Sequence, residues 1–240
     1  MSGLEVVQLR KVFGGVVALS GVDISIRLGE ILGIVGPNGS GKTTLFNVIT
    51  GALAPTSGEI RWQGKAIAGL PSFEIARLGI ARSFQQAMAF TGIPVRENVR
   101  TAWEHASVAG PTRSRWSSPE ELLEFVHLSD FGDAMAGNLP FGSLRKLGLA
   151  VALASNPRLL LLDEPAAGLN DTETNQLAGL ISQLPSIGVG VCVIDHDMDL
   201  ITSLCDRLVV LDFGTKIAEG RPAEVLNDPK VLEVYLGTEL

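Results

Sequence analysis

Eight consecutive residues, Gly36-Pro37-Asn38-Gly39-Ser40-Gly41-Lys42-Thr43, fit the pattern G-x-x-x-x-G-K-[ST]. Each fixed position has a chemical reason. Glycines let successive backbone N–H groups turn inward around phosphate oxygens. Lys42 can reach the β- and γ-phosphates of a nucleoside triphosphate, the Thr43 hydroxyl can ligate Mg²⁺, and Thr44 continues the phosphate-facing turn. A helix beginning near Lys42 adds its positive end to the anion site.

A second constellation lies at Leu159–Pro165, which reads LLLLDEP. An apolar strand there delivers Asp163 and Glu164 at its C-terminal end, where open α/β sheets bind ligands. Asp163 suits Mg²⁺, directly or through water. Glu164 suits the abstraction of a proton from an attacking water. Two carboxylates side by side repel each other, so a cation between them is expected, and Mg²⁺ is the one implied.

These groups need a scaffold that presents them at one edge. Strands are expected at Leu4–Leu9, Val22–Leu28, Ile31–Val35, Glu59–Gln63, Arg158–Leu162, Val189–Ile194, Arg207–Leu211 and Lys216–Ala218. Val22 to Ile26 alternates with period two, the mark of a half-buried strand, whereas Arg158–Leu162 and Val189–Ile194 read as strands buried on both faces. Helices are expected at Lys42–Ile49, Pro94–His105, Pro119–Val126, Phe141–Ala154 and Thr172–Leu184, and from Pro222 and Pro229. The segment near 86–155 is helical and is interrupted by the polar loop Gly110–Ser118, so it reads as a helical subdomain. Strands alternating with helices elsewhere predict an α/β fold with a mostly parallel sheet.

The chain has 240 residues and a net charge of −7, which disfavours nucleic acid as a partner. Its two cysteines, Cys192 and Cys205, lack metal-ligand spacing and are expected to be free thiols of a reducing compartment. The N-terminus does not read as a signal peptide, and the apolar runs fall well short of the ~18 residues of a membrane-spanning helix. A location at the cytoplasmic face of the cell membrane, held by a partner, is the expectation.

The order of motifs resembles the ATPase subunits of ATP-binding-cassette transporters over essentially the whole chain. Further residues carry that resemblance. Phe13, before Gly14-Gly15, matches an aromatic that stacks on adenine, with a simple core side chain as the alternative. Gln85, in Ser83-Phe84-Gln85-Gln86, matches a glutamine that senses Mg²⁺ and the membrane partner, with Gln86 as the alternative member and Gln85 then a surface amide. Ala167-Gly168-Leu169-Asn170 matches the loop at the dimer seam, and His196 matches the histidine that clamps the γ-phosphate and positions the water, with a helix cap at Asp195-His196-Asp197 as the alternative. His105 and His127 have no such context. The family implies a nucleotide-binding core of the P-loop kind with an antiparallel β subdomain and a helical subdomain, ATP and Mg²⁺ as ligands, and head-to-tail pairing with a second ATP-binding subunit. It also implies transmembrane permease subunits and, indirectly, a solute-binding protein outside the membrane.

Within that family, FGGVVAL, ARSFQ, AGLN and the tail LVVLDFGTKIAEGRPAEVLNDPKVLEVYLG look like the ATPases of branched-chain amino acid importers. Lipopolysaccharide-export ATPases have a similar tail and are the nearest alternative. Soluble cassette ATPases usually carry twin cassettes or coiled coils, and GTPases carry an Asn-Lys-x-Asp motif; neither pattern is visible here. One departure stands out. The family signature usually reads LSGGQ, and the aligned stretch is Leu139-Pro140-Phe141-Gly142-Ser143. Its serine donates to the γ-phosphate on the opposite subunit, and Pro140 has neither a hydroxyl nor an N–H to offer. A proline there also suits the first position of the helix that follows.

Overall fold

The computed structural model describes residues 3–83, 89–108 and 115–236. In chain order these form β1 (Leu4–Phe13), β2 (Val16–Ile26), β3 (Ile31–Val35), α1 (Lys42–Ile49), β4 (Ser57–Trp62), β5 (Lys65–Ala66), α2 (Ser72–Arg77) and β6 (Ile80–Ser83). Helices α3 (Val95–Val108), α4 (Pro119–Phe125) and α5 (Phe141–Ala154) come next. The chain then runs through β7 (Leu159–Asp163), α6 (Asp171–Ile181), β8 (Gly190–Ile194), α7 (Met198–Leu204), β9 (Arg207–Asp212), β10 (Thr215–Gly220), α8 (Pro222–Val225) and α9 (Pro229–Leu236).

Two sheets result. A four-stranded antiparallel sheet has the order β2-β1-β4-β5, and a six-stranded sheet has the order β10-β9-β3-β8-β7-β6. In the larger sheet every pairing is parallel except that of β10 with β9. Strands β3, β7 and β8 are buried at all five positions. Their residues point alternately to opposite faces, as the period of two requires. Leu32, Ile34, Leu159, Leu161, Cys192 and Ile194 join a core shared with α1 and the antiparallel sheet. Ile31, Val35, Leu160, Leu162, Val191 and Val193 join the core beneath α5 and α6. Phe46 of α1 is fully buried between the sheets, a contact that contributes on the order of 2–3 kcal/mol.

The longer elements lie close to their expected bounds, and the departures have local causes. β1 and β2 extend further than their apolar patterns do, because Phe13 pairs with Val16 across a turn in which Gly14 and Gly15 take φ of 50° and 100°. Helix α6 begins at Asp171, since Asn170 caps it: its side chain accepts from the Glu173 N–H while Glu173 accepts from the Asn170 N–H. It ends at Ile181, and Leu184–Ile187 is a separate short 3₁₀ turn that contains Pro185 and closes at left-handed Gly188. Pro140 is not the first helical residue; it is the cap position before α5, exposed and extended at ψ 153°. Cys192 and Cys205 are buried free thiols, and burial pushes the Cys205 thiol up to about 12. Among the described residues, no helix is long and apolar enough to cross a membrane.

Candidate nucleotide site

Strands β3, β8, β7 and β6 are consecutive neighbours and mutually parallel, so their C-terminal ends lie along one edge. That edge gathers residues far apart in sequence. β3 feeds Gly36–Gly41 and then α1; β7 ends at Asp163-Glu164; β8 runs into Asp195-His196; β6 carries Arg82 and leads towards Gln85. Gln85 and Gln86 lie outside the described residues.

The loop after β3 needs its glycines for two different reasons. At Gly36 a β-carbon would sit 2.0 Å from the Leu211 carbonyl oxygen, and at Gly41 one would sit 2.6 Å from that of Ala18. Gly39 has open space around it and is required for its φ of 81°. Ser40 is 1% exposed, and its Oγ has no hydrogen-bond partner among the described residues. Lys42 Nζ donates to the carbonyls of Gly36 at 2.7 Å and Pro37 at 2.9 Å, which curls the loop around it. Burial lowers the pKa of the Lys42 ammonium, opposed by the carboxylates of Glu164 and Asp163. Thr43 and Thr44 stand in the first turn of α1, which contains no acidic residue to neutralise its positive end.

Asp163 and Glu164 have different surroundings. Asp163 is nearly buried, and its Oδ2 accepts from Arg82 Nη2 at 2.5 Å. Glu164 is a quarter exposed, with Oε1 3.2 Å from His196 Nε2. Its backbone takes φ 48° and its N–H donates to the Ile194 carbonyl at 2.7 Å. A non-glycine residue held left-handed costs on the order of 1–3 kcal/mol, and such strain clusters at functional sites. Arg82 thus supplies Asp163 with an opposite charge from the protein itself, one that the sequence did not disclose. The donor set still fits Mg²⁺. Among the described residues no three His, Cys, Asp or Glu side chains converge into a metal cage. Mg²⁺ typically takes one or two carboxylates and completes its shell with phosphate oxygens and water.

Two contributors escaped the sequence reading. Asp195 is 6% exposed. Its Oδ1 accepts from the N–H groups of His196 at 2.7 Å and Asp197 at 3.0 Å, and its Oδ2 from that of Ala166 at 3.2 Å. It thus fixes the His196 turn to the 166–170 loop. Asp197, not His196, caps α7. Arg145 of α5 donates to the Ala167 carbonyl at 2.9 Å and lies over the Phe141 ring, tying the Leu139–Ser143 stretch to the same loop. The clue for Asp195 was a carboxylate at the end of a strand buried on both faces. Phe13 belongs to neither core; it is 42% exposed, with Lys11 Nζ 4.9 Å from its ring centre.

Comparison with known proteins agrees with this geometry. A model of the ABC transporter family matches residues 19–167, and one described as the branched-chain amino acid ATP-binding cassette transporter matches residues 215–240. The chain is 40% identical to the high-affinity branched-chain amino acid transport ATP-binding protein BraF of Pseudomonas aeruginosa, covering 98% of this chain and 97% of that one. The lipopolysaccharide export system ATP-binding protein LptB of Acidithiobacillus ferridurans is 34% identical, covering 98% of this chain and 97% of its own length. Among solved structures, an ATP-binding cassette of an ABC transporter in its ADP conformation superposes with a TM-score of 0.87 at 32% identity over 99% of both chains. The chain belongs to the ATP-binding-cassette family of transporter ATPases, alongside the ATP-binding proteins of branched-chain amino acid transport.

Proposed function

We propose that this chain binds Mg-ATP at the edge formed by β3, β8 and β7 and hydrolyses it to drive import of branched-chain or related amino acids through transmembrane permease subunits. The observation that carries the hydrolytic part is the convergence of Lys42, Asp163, Glu164 and His196 from three neighbouring strand ends. Residues 36–44 hold the phosphates through backbone N–H groups and Lys42. Thr43, Asp163 and Gln85 would hold the metal. When bound, Mg²⁺ neutralises charge on the β- and γ-phosphates. Glu164 takes the proton of the attacking water, and His196, 3.2 Å from it, orients that water and the γ-phosphate. Asp195 keeps His196 in place. Phe13, exposed at the tip of the β1–β2 hairpin, stacks on adenine.

The amino acid substrate rests on the relatives' names and on the match over residues 215–240. The same relationship favours a peripheral position at the cytoplasmic face, a second ATP-binding subunit, and a solute-binding protein that delivers substrate from outside. The test is uptake into proteoliposomes holding the chain with the permeases and second ATPase encoded beside it. ATP-dependent accumulation of labelled leucine, isoleucine or valine is the expected result. ATP-dependent extraction of lipopolysaccharide, or co-purification with no membrane protein at all, would overturn the transport assignment while leaving the ATP site untouched.

A further inference from the structure

Arg82 has so far served only as a counter-charge for Asp163, yet it touches three parts of the site. It lies on β6, the edge strand of the large sheet, paired with Leu161 of β7. Its side chain is 8% exposed. Nη2 donates to Asp163 Oδ2 at 2.5 Å, and Nη1 donates to Asn47 Oδ1 on α1 at 2.6 Å. The guanidinium lies 5.7 Å from the centre of the Phe46 ring, one residue earlier on the same helix. One planar cation therefore links the strand end that carries Asp163 and Glu164, the helix that follows the phosphate loop, and the strand that leads into 84–88. A lysine could reach one of these partners but could not present two N–H arms in a fixed plane while lying against a ring.

We propose that Arg82 is a positioning residue for the metal-binding carboxylate. By engaging Oδ2 of Asp163 it fixes the carboxylate plane and leaves Oδ1 for the metal's coordination shell, and through Asn47 it sets the distance between that carboxylate and α1. The proposal rests on the reading that Asp163 faces the metal. Groups that orient a metal ligand commonly change metal affinity when removed.

The test is a titration of Mn²⁺, a stand-in for Mg²⁺ counted by electron paramagnetic resonance, on the full chain with a non-hydrolysable ATP analogue. A parallel titration follows the analogue alone in EDTA. Arg82→Met is expected to weaken Mn²⁺ by ~10- to 100-fold while changing metal-free nucleotide affinity by less than about twofold. Arg82→Lys, which retains a charge for Asp163 but loses the second arm, is expected to fall between, and guards against a variant that simply fails to fold. Equal losses of Mn²⁺ and nucleotide, or a lower melting temperature with unchanged Mn²⁺ affinity, would reduce Arg82 to a strut. Tighter Mn²⁺ binding would make it a competitor of the metal. Asp163→Asn separates the two levels. If it weakens Mn²⁺ and Arg82→Met does not, only the role of Arg82 falls; if it leaves Mn²⁺ unchanged, the reading of Asp163 falls and takes this proposal with it.

Discussion

Glu164→Gln is expected to lower steady-state ATP hydrolysis by the assembled transporter by about 10²- to 10⁴-fold, the usual contribution of a positioned general base, while Mg-ATP still binds. The amide retains the size and hydrogen-bonding reach of the carboxylate but cannot take a proton from water. Lys42, Thr43 and Asp163 are untouched, so phosphate and metal keep their proposed partners. Little should change in the fold, since Glu164 is partly exposed and its N–H bond to Ile194 is a backbone bond. An ATP-loaded dimer that releases no phosphate should accumulate. Turnover within about twofold of the parent, far inside the range a general base contributes, would remove Glu164 from the role.

The second large effect concerns Pro140 and the equality of the two ATP sites. On the proposed head-to-tail pairing, each site takes its phosphate loop and glutamate from one subunit and its signature stretch from the other. Pro140 is exposed at the cap of α5 and brings no hydroxyl and no N–H. With a partner whose signature is intact, the site built on Lys42, Glu164 and His196 is complete, whereas the partner's site lacks one donor to the γ-phosphate. Removing a donor aimed at developing charge costs about 2.7–4 kcal/mol, or roughly 100- to 1,000-fold in rate. Glu164→Gln should therefore nearly abolish hydrolysis by the pair, and the matching change in the partner should be mild. Equal losses would show that Pro140 does not disable its site. In a homodimer both sites carry the defect, and Pro140→Ser with Ser143→Gln should raise turnover.

How much of this the sequence discloses depends on whether a residue's role is local. Helices α1 and α5 and strand β3 have the bounds expected from apolar runs and punctuating glycines, because the signals that start and stop them lie within a few residues. The same is true of Gly36–Thr43, whose function is written into one loop. β6 was missed: Ile80–Ser83 has only four residues, and its sequence, IARS, carries a buried charge where a strand ordinarily shows apolar alternation. That charge pairs with Asp163 and Asn47, 81 and 35 residues away in the chain. The pairing of Asp195 with Ala166 spans 29 residues and was equally invisible. The protein counter-charge of Asp163 was invisible for the same reason, since it comes from a distant strand. Phe13 could be read as core or as a surface for a base, and its 42% exposure removes the first choice.

The central claim, that Gly36–Thr44 and the neighbouring strand ends form one ATP site, is tested most directly by equilibrium titration of the purified chain with ATP, comparing the parent with Lys42→Ala. Lys42 Nζ now bonds two loop carbonyls and lies within electrostatic reach of Glu164 and Asp163, so its removal takes away the one ammonium offered to the phosphates from within the loop. A hydrogen bond to a charged group contributes about 1.5–3 kcal/mol, and the expected result is a roughly 10- to 150-fold weaker dissociation constant for ATP with an unchanged circular dichroism spectrum. Titration curves for the two proteins that superimpose, with the fold intact, would contradict the account.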